Sequence, residues 1–539
     1  MKTSLTLLTV LLLAPLAVPA EPAGPPRVVI VNQAADAIVN YLQLEEPLGK
    51  GATRERVVAA LRQTVDQYQG TGVSHVFWNV NYQRVAYRSA VWPSYWDVPE
   101  PEKDLTDWPR RYYELHKLGI DDVFAIVIPR CREREVFPWI SLRMNDHHYT
   151  GDPNLVSPLF SEHPEMRTRG GKGLFNYARP EVREHYLKLV AEVLQRYDVD
   201  GLELDWMRTP SNFNDDEIER GRAILTDFVR AVRQKTQAAA EQRGHPVQLA
   251  VRVPAKPVFA HGLGFDAVAW AREGLVDMVI PSDYWNGFAD LPVEDWRAQI
   301  GLDAPRCRIV PFTGTTYACT TGWMVNVMSR NLAAMRGFAA SMLDRGADGI
   351  YLFNNFGPVS SPVRMRTPEG KEVIDCLVAD LLRAASDLPG ATANARVHPV
   401  SIYETLPPGS TYRQLLPAEI APQQSLTLQI HTGPKPTTGR CVIRVGLDQS
   451  EDLATVKLAA RFNGSVGRAS EDLPAPAKPP RPGIPRENVS EVAPRLAQFE
   501  VPLDAVVRGF NSVELAVEHG GRQTVIWLEI LIDPAPTDR

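Results

Sequence analysis

Two acids, Glu203 and Asp205, stand two positions apart in the run Gly201-Leu-Glu-Leu-Asp-Trp206. Alternate side chains of a β-strand point the same way, so both carboxyls share one face. A third acid, Asp283, follows the apolar run Val276–Pro281 and precedes Tyr284, Trp285 and Asn286. Other short apolar runs also end in chemistry-bearing residues. These are Asn79 and Asn81, then Arg143, Asn145, Asp146, His147 and His148, then Arg252, then Asn354 and Asn355. A ring of carboxyls, amides, guanidinium groups and aromatics is what cleavage of a glycosidic bond requires. One carboxyl protonates the leaving oxygen, and another attacks the anomeric carbon or activates water. Asp205 is the expected nucleophile or ionised carboxylate, and Asp283 the expected acid/base. Glu203 is expected to complete the catalytic set by raising a neighbour's pKa or by orienting Arg143 or Arg252. Asn79, Arg143, Asn145, Asp146, His147, Arg252, Tyr284, Trp285 and Asn354 are the candidate substrate-binding residues. Trp92, Tyr95, Trp96, Trp285 and Trp323 are candidate stacking platforms, some of them expected to be loop core instead.

Other chemistries find less support. Imidazole beside carboxylate at Asp146-His147-His148 suits zinc, but adjacent strand-end residues point to opposite faces, so no metal is expected. Asn212–Glu217 (NFNDDE) is oxygen-rich yet lacks a calcium-loop spacing, and Asp215 sits where a helix cap belongs. No GxSxG elbow occurs, and no cofactor is implied. The cysteines are Cys131, Cys307, Cys319, Cys376 and Cys441, with no CxxC pair. Their odd number leaves at least one free thiol. Cys307 with Cys319 is the one close pair, and buried free thiols are the equal alternative.

The elements that must position these residues alternate. Short β-rich runs at 28–31, 73–80, 136–144, 201–206, 247–253, 276–281, 308–312 and 349–353 are mostly separated by longer helical patterns. The helices are expected near 54–68, 110–118, 123–134, 180–197, 215–243, 265–273, 293–300, 325–345 and 369–385. This is the order of an α/β fold, a (β/α)8 TIM barrel, whose active site forms at the carboxyl ends of the strands. A doubly wound open sheet would want a glycine-rich loop after the first strand, and Val31-Asn-Gln-Ala34 has none. After Gly390 the texture becomes short alternating strands, a C-terminal antiparallel β-sandwich interrupted by the Pro-rich segment 474–485. The expected organisation is a signal peptide at 1–20, a barrel at 21–390 and an accessory sandwich at 391–539.

The string Tyr197-Asp-Val-Asp-Gly-Leu-Glu-Leu-Asp-Trp-Met-Arg208 resembles the fourth-strand motif of family 10-like bacterial glycosyl hydrolases. Further matching segments are Arg143-Met-Asn-Asp146, Asn176–Arg183, Asp277–Trp285 and Gly346–Phe353. The resemblance spans about residues 26–386 and implies a barrel that hydrolyses carbohydrate. Asp200–Trp206 also resembles the chitinase-type DGxDxDxE motif, with Glu203 in place of the first inner Asp. Met207 occupies the place of its catalytic Glu, which speaks against substrate-assisted amide chemistry. Asp205 and Asp283 match the strand-four and strand-six acids of α-galactosidase-like barrels in position.

The chain has 539 residues, a net charge of −6, 44% hydrophobic and 23% charged residues. That composition excludes a disordered chain and a disulfide mini-protein. The acidic balance argues against nucleic acid as a partner, which would need a basic groove. Lys2, an apolar run from Leu5 to Val18 and small residues at Val18 and Ala20 form a secretory signal. Export to the periplasm or the medium is therefore expected, with no stable membrane insertion after cleavage. The expected partner is a carbohydrate substrate, and the oligomeric state stays open. The expected function is a secreted glycosidase using two carboxylates on a poly- or oligosaccharide. The alternative is a catalytically inactive carbohydrate-binding barrel.

Overall fold

A computed structural model describes residues 28–44, 48, 51–170, 173–282, 290–301, 307–313, 332–353, 358–366, 372–400, 415–447, 456–474 and 495–534. The leader 1–20, Asp283, Tyr284, Trp285, Cys319, Trp323, Asn354, Asn355 and most of the Pro-rich segment lie outside the described residues.

Nine strands build one parallel sheet: β1 (Val28–Gln33), β2 (His75–Asn79), β3 (Phe137–Arg143), β4 (Gly201–Asp205), β5 (Gln248–Pro254), β6 (Met278–Ser282), β7 (Arg308–Ile309), β8 (Phe312–Thr313) and β9 (Gly349–Leu352). Their order is β7-β6-β5-β4-β3-β2-β1-β9-β8. The expected seventh strand is therefore split. Pro311 has no N–H to add to a ladder, so β7 pairs with β6 and β8 with β9. Both ends of the sheet lie on adjoining residues, and the sheet curls upon itself as a TIM-like barrel. Helices on its outside include Arg54–Asp66, Asp107–Lys117, Phe124–Glu133, Pro180–Arg196 and Ile218–Arg243. Pro180 occupies the first turn of its helix, where no N–H is needed.

The sequence reading needs correction at several elements. A helix at Ala35–Leu44 follows β1 directly. Most of its described side chains are buried, and its partly exposed positions are Asp36 and Asn40, one turn apart. The expected closing helix begins only at Val378; Glu372–Leu377 instead pairs with Pro362–Arg366 as an antiparallel hairpin. The turn ahead of the long helix is capped by Asn214 rather than Asp215. Glu217 reaches back to the Asn214 N–H to close a capping box.

Strand parity sorts the barrel interior into levels. Val28, Ile30, Phe77, Trp139, Ala250, Met278, Ile280, Val310, Phe312, Tyr351 and Phe353 form an apolar cluster separate from the main core. Gly201 leaves room for it: a Cβ there would lie 2.5 Å from the Trp139 ring. Two residues further along the same strand faces come Asn32, Asn79, Ser141 and Glu203, and beyond them Arg143, Asp205, Arg252 and Ser282. The interior thus changes from hydrocarbon to polar groups toward the carboxyl ends of the strands.

The C-terminal region is wholly antiparallel. One sheet runs Arg396–Pro399, Gln523–Asp533, Arg440–Leu447, Arg495–Val501, Arg468–Pro474, with Ala418–Ile420 added on Gln523–Asp533. A second runs Ser425–His431, Phe510–His519, Lys457–Phe462, Ser465–Val466. Trp527 is fully buried there, as its apolar strand suggests. The helix Leu332–Asp344 carries the junction. Gly337 abuts the Val397 carbonyl so closely that a Cβ would sit 1.9 Å from its oxygen. Ser341 lies 3.1 Å from His431, and Arg508 pairs with Asp344 at 2.9 Å.

Candidate functional site

Asp205 ends β4, and its place beside Arg143 and Arg252 follows from register, since those two residues flank it on β3 and β5. Arg252 Nη1 lies 3.0 and 3.1 Å from the two carboxylate oxygens, and the Met207 N–H donates to Oδ1 at 2.9 Å. Arg252 Nε donates to Ser282 Oγ at 2.8 Å, and its guanidinium faces the rings of Phe312 and Phe353. Asp205 and Arg252 are both essentially inaccessible, at 1% and 0% exposure. This is a dry, fixed ion pair at the carboxyl edge of the sheet.

Glu203, one step below on the same face, differs in kind. No cation lies within ion-pair distance among the described residues. Its Oε2 accepts from Tyr351 Oη at 3.1 Å and from Asn32 Nδ2 at a long 3.5 Å, while Oε1 has no hydrogen-bond partner. Burial first, then the charge of Asp205, push this carboxyl above the usual range; Ser141, Arg252 and Tyr351 pull less strongly the other way. The expected orienting contact from Glu203 to Arg143 or Arg252 is not made: the first turns to Asp146 and the second to Asp205.

Arg143 turns toward Asp146 instead, at 3.0 Å, and its guanidinium lies 4.0 Å from the Tyr82 ring centre. Asp146 is completely buried and accepts from the His148 backbone N–H at 2.7 Å. It also meets His148 Nδ1 at 2.5 Å, and Arg208 stands 3.7 Å away. Burial opposes its charge, yet the His148 contact and the nearby Arg143 guanidinium hold this carboxyl well below the usual range. His147 binds Thr209 Oγ1 at 2.6 Å. The two imidazoles stack, 5.3 Å apart and 22° from parallel, rather than pointing to opposite faces. His148 keeps 36% of its side chain exposed, so this histidine pair borders the mouth. Among the described residues no group of three or more His, Cys, Asp or Glu side chains is gathered to hold a metal.

Two expected sugar contacts are engaged within the protein. Asn145 Nδ2 donates to Phe175 O, Ser211 O and Asn212 Oδ1, and its Oδ1 accepts from the Phe175 N–H, all at 3.1–3.2 Å. Asn79 Nδ2 donates to the Asn81 and Ser141 carbonyls, and Asn81 clamps the Arg143 backbone in both directions. These amides splice loop to strand where the ladder ends. The expected platforms Trp92, Tyr95 and Trp96 are 3%, 0% and 4% exposed. Trp92 stacks on His185 and Trp96 on His116, so they are loop core. Cys131, Cys307, Cys376 and Cys441 are buried free thiols. The sequence reading missed Asn32, Ser141, Tyr351 and Arg208. The first three share the inward parity of their strands, and that parity was the available signal.

No family model matches the chain, and no curated protein does. Solved structures with a related chain trace include chitinase ChiA74 from Bacillus thuringiensis, at 9% identity and TM-score 0.40, covering 93% of this chain and 98% of that one. Alpha-L-fucosidase isoenzyme 2 from Paenibacillus thiaminolyticus matches at 13% identity and TM-score 0.38, over 69% of this chain. A cycloisomaltooligosaccharide glucanotransferase from Paenibacillus sp. matches at 10% and 0.30, over 93%. The chain spans 51% and 57% of the length of the latter two. Likeness at this level carries no argument about chemistry, which has to come from the site.

Proposed function

We propose that this chain is an exported glycoside hydrolase of the family 10-like kind, acting on a poly- or oligosaccharide through two carboxylates. In this reading the curled sheet is a (β/α)8 barrel in which β7 and β8 count as one stave, and the C-terminal sheets form an accessory sandwich. The supporting observation is Asp205, a carboxylate locked by Arg252 where a parallel barrel presents its reacting groups. With both oxygens engaged, Asp205 is better suited to stabilising the positive charge that develops at an anomeric carbon than to attacking it. Nucleophilic attack would require Arg252 to swing away. Asp283, the next residue after β6, supplies the acid/base. Arg143, Asp146, His147 and Arg252, with Tyr284, Trp285 and Asn354, are the residues assigned to substrate binding in this reading.

One observation favours the second reading, a barrel that binds carbohydrate without cleaving it: Asp205 is 1% exposed and already neutralised. The two are separated by a glycan panel in which both binding and product formation are followed, with the product anomer read by NMR. Hydrolysis by the wild type, lowered at least about 100-fold in folded Asp205→Asn and Asp283→Asn variants, supports the enzyme. Binding with no product from any glycan establishes the second reading, and neither binding nor product overturns both.

A further inference from the structure

Four oxygens on four neighbouring strands share one anomaly. Asn32 Oδ1 on β1, Asn79 Oδ1 on β2, Ser141 Oγ on β3 and Glu203 Oε1 on β4 all lack a hydrogen-bond partner, although their residues are at most 1% exposed. Ser141 and Glu203 are direct register partners, as are Asn79 and Ser141. Unpaired polar atoms in a dry interior are costly, and a native site resolves them. The two amide oxygens can only accept, and the serine hydroxyl can accept as well. The Ser141 hydroxyl brings the one proton among these four oxygens, so the group is short of donors. Meanwhile both donors that reach Glu203, the Tyr351 hydroxyl and the Asn32 amide, converge on Oε2 and leave Oε1 bare.

We propose that Glu203 carries a proton on Oε1 in the resting protein, donates it to one of the neighbouring interior oxygens, and so acts as a positioning residue for Asp205. An ionised Glu203 would place a second negative charge two residues from Asp205 on one strand face, among side chains closed to solvent. It would compete for Arg252 and loosen the pair at the mouth. A neutral Glu203 leaves Asp205 as the sole anion of β4 facing Arg252. The charged or titratable groups around it are Asp205 on its own strand, Arg252 on β5, Tyr351 on β9 and, beyond Ser141, Arg143 on β3. Burial and Asp205 favour the protonated form; the Ser141 hydroxyl, Arg252 and the Tyr351 hydroxyl oppose it less.

The sign of the pH effect follows. A carboxyl whose affinity for protons rises on folding stabilises the protein at low pH. That contribution fades as pH climbs from the ordinary carboxylate range toward the raised value. The test uses the substrate-free chain, so its failure is distinct from failure of the glycosidase reading. Infrared spectra of wild type at neutral pH are expected to show a protonated-carboxyl stretch that is missing in Glu203→Gln. Thermal unfolding of the two proteins is expected to diverge with pH: similar in mild acid, with the variant higher by about 3 °C or more in mild alkali. Identical spectra, or melting points that run parallel with pH, overturn the proposal. Should Glu203→Gln fail to fold, titrating the wild-type band decides: its absence at neutral pH overturns the proposal, and its loss only in alkali supports it. A third readout rests on the glycosidase reading. The alkaline limb of kcat/KM is expected to move to higher pH in Glu203→Gln.

Discussion

Asp200 and Asp205 bracket β4, and their surroundings could hardly differ more. At the amino end, Asp200 joins a half-wet cluster in which Arg132 reaches it at 3.2 Å and Asp198 at 2.9 Å. His245 meets Asp198 at 2.7 Å. Asp198 is 54% exposed and Arg132 33%. At the carboxyl end, Asp205 is 1% exposed, paired with Arg252 and held by the Met207 N–H. Water screens the first cluster and lets its members be exchanged; the second depends on a single partner. The barrel keeps its forgiving electrostatics at the amino end of β4 and its demanding electrostatics at the carboxyl end.

The sharpest way to break this contrast is Arg252→Met. It strands a buried carboxylate and is expected to cost about 3–5 kcal/mol in urea unfolding. Asp205→Asn added to it should recover most of that loss, and a double variant no more stable than the single would contradict the pairing. Asn145→Ala, which removes four hydrogen bonds just past β3, is expected to cost about 1–3 kcal/mol by the same measurement. On the barrel's outer surface, Asp66 shows what a shared ionic contact does. The Arg130 hydrogen bond, aided by Arg134 against a modest burial penalty, lowers its carboxyl to about 2. Its stabilisation holds above the ordinary carboxylate range and is lost as pH falls toward 2. Asp66→Asn should flatten the acid limb of the stability profile by about 1 kcal/mol after allowance for solvent; an unchanged limb would remove the ion pair from that account. The smallest effect belongs to Arg132→Ala in the amino-end cluster, expected below about 1 kcal/mol and shrinking further with added salt.

The barrel strands were legible because each is a short run of branched and aromatic residues between helical stretches. What failed did so for identifiable reasons. Ala35–Leu44 hides because only Ala34 separates it from β1, with no turn signal between them, and Glu372–Leu377 takes its strand form only from a partner at Pro362–Arg366. Asp205 and Arg252 could be named as site residues from their positions at strand ends, yet nothing local says that they face each other; register does. The aromatics of Trp92-Pro-Ser-Tyr-Trp96 misled because sequence cannot tell a ring turned toward ligand from one turned toward His185 or His116. The unpaired oxygens around Glu203 were invisible for a related reason: hydrogen bonds left unmade belong to no single residue.

The bare approach of Gly337 to the Val397 carbonyl has a practical meaning. Any side chain at that position would wedge the barrel's outer helix away from the antiparallel sheets, and any cut between residues 344 and 396 would leave a glycine groove with nothing to fill it. The amino-terminal portion should therefore travel with its trailing sheets, as cargo bolted to its chassis, whenever the protein is shortened, fused or transplanted.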